Sequence, residues 1–340
     1  MSDQEKRIIA LNNASIGYKG RSGLPKVVKQ NISVYALKGE LVALIGGNGV
    51  GKSTLLRTIA GFQPPMAGEV LMNGKSVDAY RESELALTLS FVSTEIIRVP
   101  NLTVFDLVSL GRYPYTNWFG KLGEEDRQIV EESIGAVGLK GYENRAINYI
   151  SDGERQKAMI ARTLAQDTDV IVLDEPTAFL DLSNKYEIVH ILHRLAREKG
   201  KTVLFSTHDL TTAIAESDRI WLMLYRSVEQ GAPEDLILNG SFSSLFKNDQ
   251  LFFDPEKGDF RIRKHPTRKA YLTGNGIALE WTVKAIERNG YEVVDIQSSN
   301  NPSGIVKIHV NHPEWVVTFQ NEKIVFSSLL MLCRYLNSLL

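Results

Sequence analysis

The sequence predicts an α/β protein in two parts: a larger domain built on a parallel sheet, followed by a small α+β domain. Three observations carry this. At 340 residues the chain exceeds one average domain, for which about 100–200 residues is usual. Residues 41–45, 170–173 and 202–206 are short runs rich in Val, Leu and Ile, separated by longer helix-like patterns. Such runs suit strands buried on both faces of a parallel sheet. Near residues 254–259, Asp-Pro-Glu-Lys-Gly-Asp, the character changes to a polar, turn-rich linker.

Taken in order, the run 41–45 is the first buried strand, and residues 54–60 continue as a helix that Gly61 is placed to end. Ser151 can cap a helix, with Glu154 reaching back to complete a capping box, ahead of the run 157–164. The run 220–225 is the longest apolar one, far short of the ~18 residues of a spanning helix. Beyond the linker, a basic stretch carries Arg261, Arg263, Lys264, Arg268 and Lys269, and it reads as solvated rather than lipid-bound. Strands are expected at 269–273, 291–296, 305–310, 315–319 and 324–326. A helix over 278–288 buries Leu279, Val283 and Ile286, and a last one carries Leu329, Leu332, Cys333, Leu336 and Leu340.

Composition narrows the function. Lys+Arg is 39 against 40 for Asp+Glu, so bulk charge does not suit coating nucleic acid, and no nucleic-acid partner is expected. One cysteine, Cys333, excludes an intrachain disulfide framework or a Cys-rich zinc site. Residues 1–7 have no apolar core and do not read as a secretory signal.

Gly46-Gly47-Asn48-Gly49-Val50-Gly51-Lys52-Ser53 fits G-x-x-x-x-G-K-[ST] between a buried strand and a helix that begins around Thr54. Glycines there let the backbone aim N–H groups at phosphate oxygens beside a helix N-terminus. Lys52 adds a cation for the β- and γ-phosphates, and the Ser53 hydroxyl can ligate Mg²⁺. Asp174 and Glu175 end the run 170–173. A carboxylate at such a strand end can hold Mg²⁺ through water, which suits Asp174, and the adjacent Glu175 can act as general base.

Residues 150–156, Ile-Ser-Asp-Gly-Glu-Arg-Gln, resemble the signature motif of ABC-type ATPases, which reads LSGGQ in its commonest form. With the P-loop before it and Asp174-Glu175 after it, the order is that of this P-loop NTPase class. The resemblance spans about residues 6–232. It implies an ABC-type nucleotide-binding domain over 1–250, with a helical subdomain near 95–165; the small C-terminal domain over 255–340 lies outside it and reads as a regulatory or dimer-stabilising module. The resemblance also implies that Tyr18 stacks on adenine, that Asp181 in Ala178-Phe179-Leu180-Asp181 lies in the D-loop, and that His208 is the switch histidine. ATP is then bound between the P-loop of one copy and Ser151 and Gly153 of another. The partners so implied are a second copy of the chain, two transmembrane permease subunits and, indirectly, a periplasmic or surface substrate-binding protein. The site of action is the cytoplasmic face of the cell membrane, peripherally.

Two positions depart from the pattern. Thr94 stands where the family has a glutamine that senses Mg²⁺, with Glu95 following; either could still bind the metal or water. Asp152 replaces a glycine, placing a carboxylate beside the expected phosphate unless its side chain points away. Leu102-Thr103-Val104 and Gly111-Arg112-Tyr113-Pro114 resemble importer ATPases for iron(III)-siderophore, haem and cobalamin. There Tyr113, Tyr115, Trp118 and Phe119 either form part of a permease-docking groove or pack within the subdomain. Alternatives within the class are an exporter ATPase and a soluble ABC protein. In the C-terminal part, 272–276 resembles a dinucleotide turn but lacks its third glycine, and Glu292 and Asp295 come early for a ribose acid, which weighs against nucleotide there.

Overall fold

The computed structural model describes residues 6–19, 25–93, 99–116, 121–245, 250–294, 305–320 and 322–339. The chain divides into two compact units: Met1–Asn248 with Phe253–Phe260, and Asp249–Phe252 with Arg261–Leu340.

The first unit opens with β1 (Arg7–Lys19), β2 (Pro25–Leu37), β3 (Leu41–Gly46), α1 (Lys52–Ile59), β4 (Ala67–Met72), β5 (Lys75–Ser76), α2 (Glu82–Ala86) and β6 (Leu89–Val92). Then come α3 (Val104–Ser109), α4 (Glu124–Ala136), α5 (Asp152–Gln166), β7 (Val170–Leu173), α6 (Leu182–Arg197), β8 (Thr202–Thr207), α7 (Leu210–Glu216), β9 (Arg219–Met223), β10 (Val228–Gly231) and α8 (Pro233–Leu238). A six-stranded sheet has the order β10-β9-β3-β8-β7-β6, parallel except for β10. An antiparallel sheet, β2-β1-β4-β5, accompanies it.

Residue alternation shows why the runs at 41–45 and 170–173 lack polar positions. Leu41, Ala43 and Ile45 enter one core with Ile171, Leu173 and helices α3 to α6, whereas Val42 and Leu44 enter another with Val170, Val172, α1 and the antiparallel sheet. Each strand is covered on both faces, so both residue parities are apolar. Fully buried Phe205 and Trp221 contribute about 1.5–3 kcal/mol each on this account.

The polar stretch expected as a linker is instead the turn between β11 (Leu251–Asp254) and β12 (Asp259–Ile262). Phe253 stacks on Phe242 and meets Phe260 edge-on, at 5.0 and 5.2 Å between centroids, which draws both flanks of the turn into the first unit's core. Glu256 and Lys257, within the turn itself, are exposed.

The second unit holds β13 (Arg268–Thr273), α9 (Gly276–Arg288), β14 (Tyr291–Val293), β15 (Val306–Asn311), β16 (Glu314–Phe319), β17 (Glu322–Phe326) and α10 (Leu329–Ser338). Its sheet runs β14-β13-β15-β16-β17, parallel about β13 and antiparallel from β15 onward. Ala270, Ile286, Ile308, Val317, Leu332 and Leu336 form its core. Gly274 answers to packing: at φ 142° its Cβ would lie 2.7 Å from the Val310 carbonyl oxygen. Asp295 and Leu340 lie outside the described residues.

Candidate active site

Three adjacent strands explain how residues far apart in sequence meet. β3, β8 and β7 run parallel side by side, so the loops leaving their C-terminal ends share one edge. The loop after β3 leads to Lys52, that after β7 carries Asp174 and Glu175, and that after β8 carries His208.

The first of these is a glycine turn. Gly49 and Gly51 have φ of 75° and 108°, where an L side chain is strained. A Cβ on Gly51 would also lie 2.4 Å from Val28, so β2 packs directly on the turn. Gly51 precedes α1 with no side-chain cap, leaving the first N–H groups of that helix for another acceptor. Ser53 is exposed beside buried Lys52, and the Thr54 carbonyl accepts from the Thr58 hydroxyl.

Lys52, only 6% exposed, donates from Nζ to the Gly46 carbonyl at 3.0 Å, with the Gly47 carbonyl at 3.4 Å. The same nitrogen lies 3.2 Å from His208 Nε2 and 3.8 Å from Glu175 Oε1. Burial pulls this ammonium below the usual lysine range, and the carboxylates of Glu175 and Asp174 oppose that pull. His208 Nε2 stands 2.6 Å from Glu175 Oε1, the separation of a ring N–H donating to a carboxylate.

Glu175 adopts φ 49°, a left-handed conformation that is costly for a residue with a Cβ. Ser206 holds it there. The buried Ser206 hydroxyl accepts from the Glu175 N–H at 2.8 Å and donates to Asp174 Oδ1 at 2.7 Å. Asp174 is 6% exposed. No motif in the sequence marks Ser206. Its signal is a hydroxyl near the end of a strand with no solvent-facing side, where a polar group needs a partner. Lys29 was missed likewise: it is buried on β2, donates to the carbonyls of Leu224 and Tyr225, and is held below the usual lysine range by burial.

The remaining sequence candidates gather elsewhere. Ser151 Oγ accepts from the Glu154 N–H at 3.2 Å while Glu154 Oε2 accepts from the Ser151 N–H at 2.7 Å, the reciprocal cap expected for α5. A Cβ on Gly153 would lie 2.5 Å from Asn184 Oδ1. The Asn184 N–H donates to Asp181 Oδ1 at 2.8 Å, so Asp181 caps α6. Gly153 and Asp181 thus meet at Asn184, with Ser151 two residues before Gly153. Asp152 is engaged with Arg155 at 2.6 Å. Tyr18, near the end of β1, is half-exposed, with Lys26 Nζ 5.6 Å from its ring centroid. Thr94, Glu95, Trp118 and Phe119 lie outside the described residues.

Within the motif at 111–115, Gly111, Arg112 and Tyr115 pack within the helical segment. A Cβ on Gly111 would meet the Arg162 carbonyl at 2.2 Å, Arg112 bonds Asp126 and the Ala165 carbonyl at 2.9 Å each, and the Tyr115 hydroxyl donates to the Gln166 carbonyl at 2.9 Å. These residues seat the segment on α5. Tyr113 is 74% exposed.

Residues 29–178 match the ABC transporter family, and residues 267–337 match the iron ABC transporter C-terminal domain. An ABC transporter ATP-binding protein of Methanocaldococcus jannaschii is 35% identical over 290 residues, 84% of this chain and 98% of that one. This chain is an ABC transporter ATP-binding protein. A petrobactin import ATP-binding protein of Bacillus anthracis is 38% identical to this ABC protein over 71% of the chain and 89% of its own length. An iron(3+)-hydroxamate import ATP-binding protein of Bacillus subtilis is 37% identical over 73% and 91%. Two solved dimeric structures of one bacterial ABC transporter cassette superpose with TM-scores of 0.59 and 0.58, each 29% identical over 66% of this chain and 98% of the cassette. The second holds ADP and Pi after hydrolysis. This ABC protein is accordingly an ATPase of the P-loop fold, with an iron-transporter domain at its C-terminal end. Among the described residues, no helix is long and apolar enough to cross a membrane.

Proposed function

We propose that this ABC protein is the ATP-hydrolysing subunit of an importer for iron(III)-siderophore chelates. In this reading it works as a homodimer on two transmembrane permease chains at the cytoplasmic membrane face, and a substrate-binding protein delivers the chelate. The iron-transporter C-terminal match and the petrobactin and hydroxamate relatives favour a siderophore over haem or cobalamin. The observation that carries the catalytic half is the convergence of Lys52, Glu175 and His208 within 3.8 Å beside the glycine turn.

In this reading the N–H groups of 46–54 and Lys52 hold the phosphates, Tyr18 stacks on the adenine, and Glu175 takes the proton of the attacking water. His208 orients the Glu175 carboxylate and reaches the γ-phosphate, and Ser206 fixes the loop that carries the acid. The exposed Ser53 hydroxyl and the Asp174 carboxylate are hard oxygen donors that fit Mg²⁺, with Thr94 as a further candidate. Mg²⁺ bound there supplies neutralisation of phosphate charge. Ser151 and Gly153 meet the ATP of the second copy, with Asp181 nearby, and the small C-terminal domain over 255–340 regulates or stabilises the dimer.

The test is a membrane pull-down with tagged Glu175→Gln protein and ATP, alongside turnover. Turnover should fall about 10²–10⁴-fold with ATP binding retained, and a many-helix permease should co-purify. Uptake by that permease is then compared for iron(III)-siderophore, haem and cobalamin. Wild-type turnover in the variant would remove Glu175 as the base. Recovery of only ribosomal or DNA-associated chains would sink the importer.

A further inference from the structure

Position 152 is where the signature segment gains a carboxylate, at the first residue of α5. An acid in a first turn favours the helix itself, but it repels any other anion approaching the same terminus. The structure contains an answer to that conflict. Arg155, one turn on, donates from Nη1 to Asp152 Oδ1 at 2.6 Å. Its Nε and Nη2 donate to the carbonyls of Ile147 and Ile150, each at 3.2 Å. The Arg155 side chain is 20% exposed and that of Asp152 is 67% exposed. An ordinary surface pair is weak because two free side chains must be ordered together. Here the guanidinium is already fixed on two carbonyls that precede the helix, and only the carboxylate remains to be placed.

We propose that Arg155 is a charge-masking positioning residue, which holds and neutralises Asp152 so that the N-terminus of α5 can accept the phosphates of ATP bound by a second copy of this chain. The proposal rests on the reading above in which Ser151 meets ATP across a homodimer. It goes further in making residues 152 and 155 one unit: with glycine at 152, as in the commonest form of the motif, there is nothing to mask.

The test uses full-length chain carrying Glu175→Gln as the parent. Light scattering during an ATP titration gives the concentration for half-maximal dimer, and ATP binding to the monomer is measured separately. Arg155→Gln keeps an amide that can reach a carbonyl but removes the charge. It should raise the half-maximal concentration about tenfold, as an unmasked like charge does at an interface, with monomer binding unchanged. Asp152→Asn in the same chain should bring the value back to within about threefold of the parent. Added salt should narrow the gap between Arg155→Gln and the parent, which a merely structural loss would not show. Asp152→Asn alone leaves Arg155 anchored on both carbonyls and should stay within about threefold of the parent.

Equal weakening in Arg155→Gln and the double variant would overturn the proposal, because the guanidinium would then act only through Ile147 and Ile150. Loss of dimer in Asp152→Asn alone would overturn it as well, whether or not Arg155→Gln folds. A parent that dimerises with ATP while Arg155→Gln behaves identically removes the masking role alone. A parent that binds ATP but never dimerises removes the cross-copy reading, and the masking role falls with it.

Discussion

The cluster around Lys52 and the cluster around Ser151 are built on opposite plans. The first joins residues 52, 174, 175, 206 and 208, delivered by three strands of one sheet, and its central groups are largely buried. The second is a helix start whose contacts lie mostly within a few residues, Ser151 with Glu154 and Asp152 with Arg155, on an exposed surface. Bond-breaking chemistry needs several groups held at once to fractions of an ångström, which long-range packing supplies. The helix start, by contrast, keeps its own N–H groups in order through local contacts alone.

That contrast can be broken at either end. The largest effect is expected at Ser206, where alanine removes both the bond to Asp174 and the support of Glu175 in its left-handed turn. Two buried bonds, one to a charged group, put the loss at about 2–4 kcal/mol by chemical denaturation, and turnover should drop at least about tenfold. Unchanged stability and turnover would mean the acid loop holds itself.

An intermediate effect is expected where the helical segment is seated. Asp126→Asn leaves the Arg112 charge without its carboxylate and should cost about 1–2 kcal/mol. The Arg112 guanidinium holds the Asp126 carboxyl below the usual carboxylate range, so the folded value lies under the unfolded one of about 3.9. The pair's contribution is therefore complete above that value and fades as pH falls through the folded one. The difference between wild type and Asp126→Asn should shrink below about pH 4 in urea titrations; a constant gap there would remove the ion pair as its cause.

The smallest effect belongs to Ser151→Ala, about 0.5–2 kcal/mol in thermal or urea unfolding from loss of one helix cap. Its ATP-dependent dimerisation should suffer more than its stability. If the two losses are equal, the helix start has no task beyond holding itself together.

What was legible in the sequence follows the same division. Strands buried on both faces declare themselves by continuous apolar runs; the glycine motif marks Lys52, the acids ending such a run mark Glu175, and the family resemblance marks His208. The cap at Ser151 was legible because a capping box is a local pattern. Ser206 was not, because one hydroxyl within an apolar run carries no mark of the carboxylate that follows the neighbouring strand. Lys29 was hidden for the same reason: its acceptors are carbonyls nearly 200 residues away. The turn at 254–259 misled because its polar residues announce solvent, while the aromatic rings that bind it to the core flank it singly. The motif at 111–115 could not be divided from sequence, since only the close approach of Gly111 to α5 shows which side chains face inward.

α5 itself has a mechanical consequence. Its 15 residues make a rod of about 22 Å. Ser151 stands at one end. At the other, Arg162 bonds the Phe91 carbonyl, Gln166 bonds the carbonyls of Ala86 and Leu89, and Arg112 and Tyr115 bond carbonyls of the last turn. Sliding the rod would break all of these bonds together, whereas a tilt about that end would spare them. A tilt of about 5° about that pivot sweeps the signature end through about 2 Å, roughly the difference between a hydrogen bond and none.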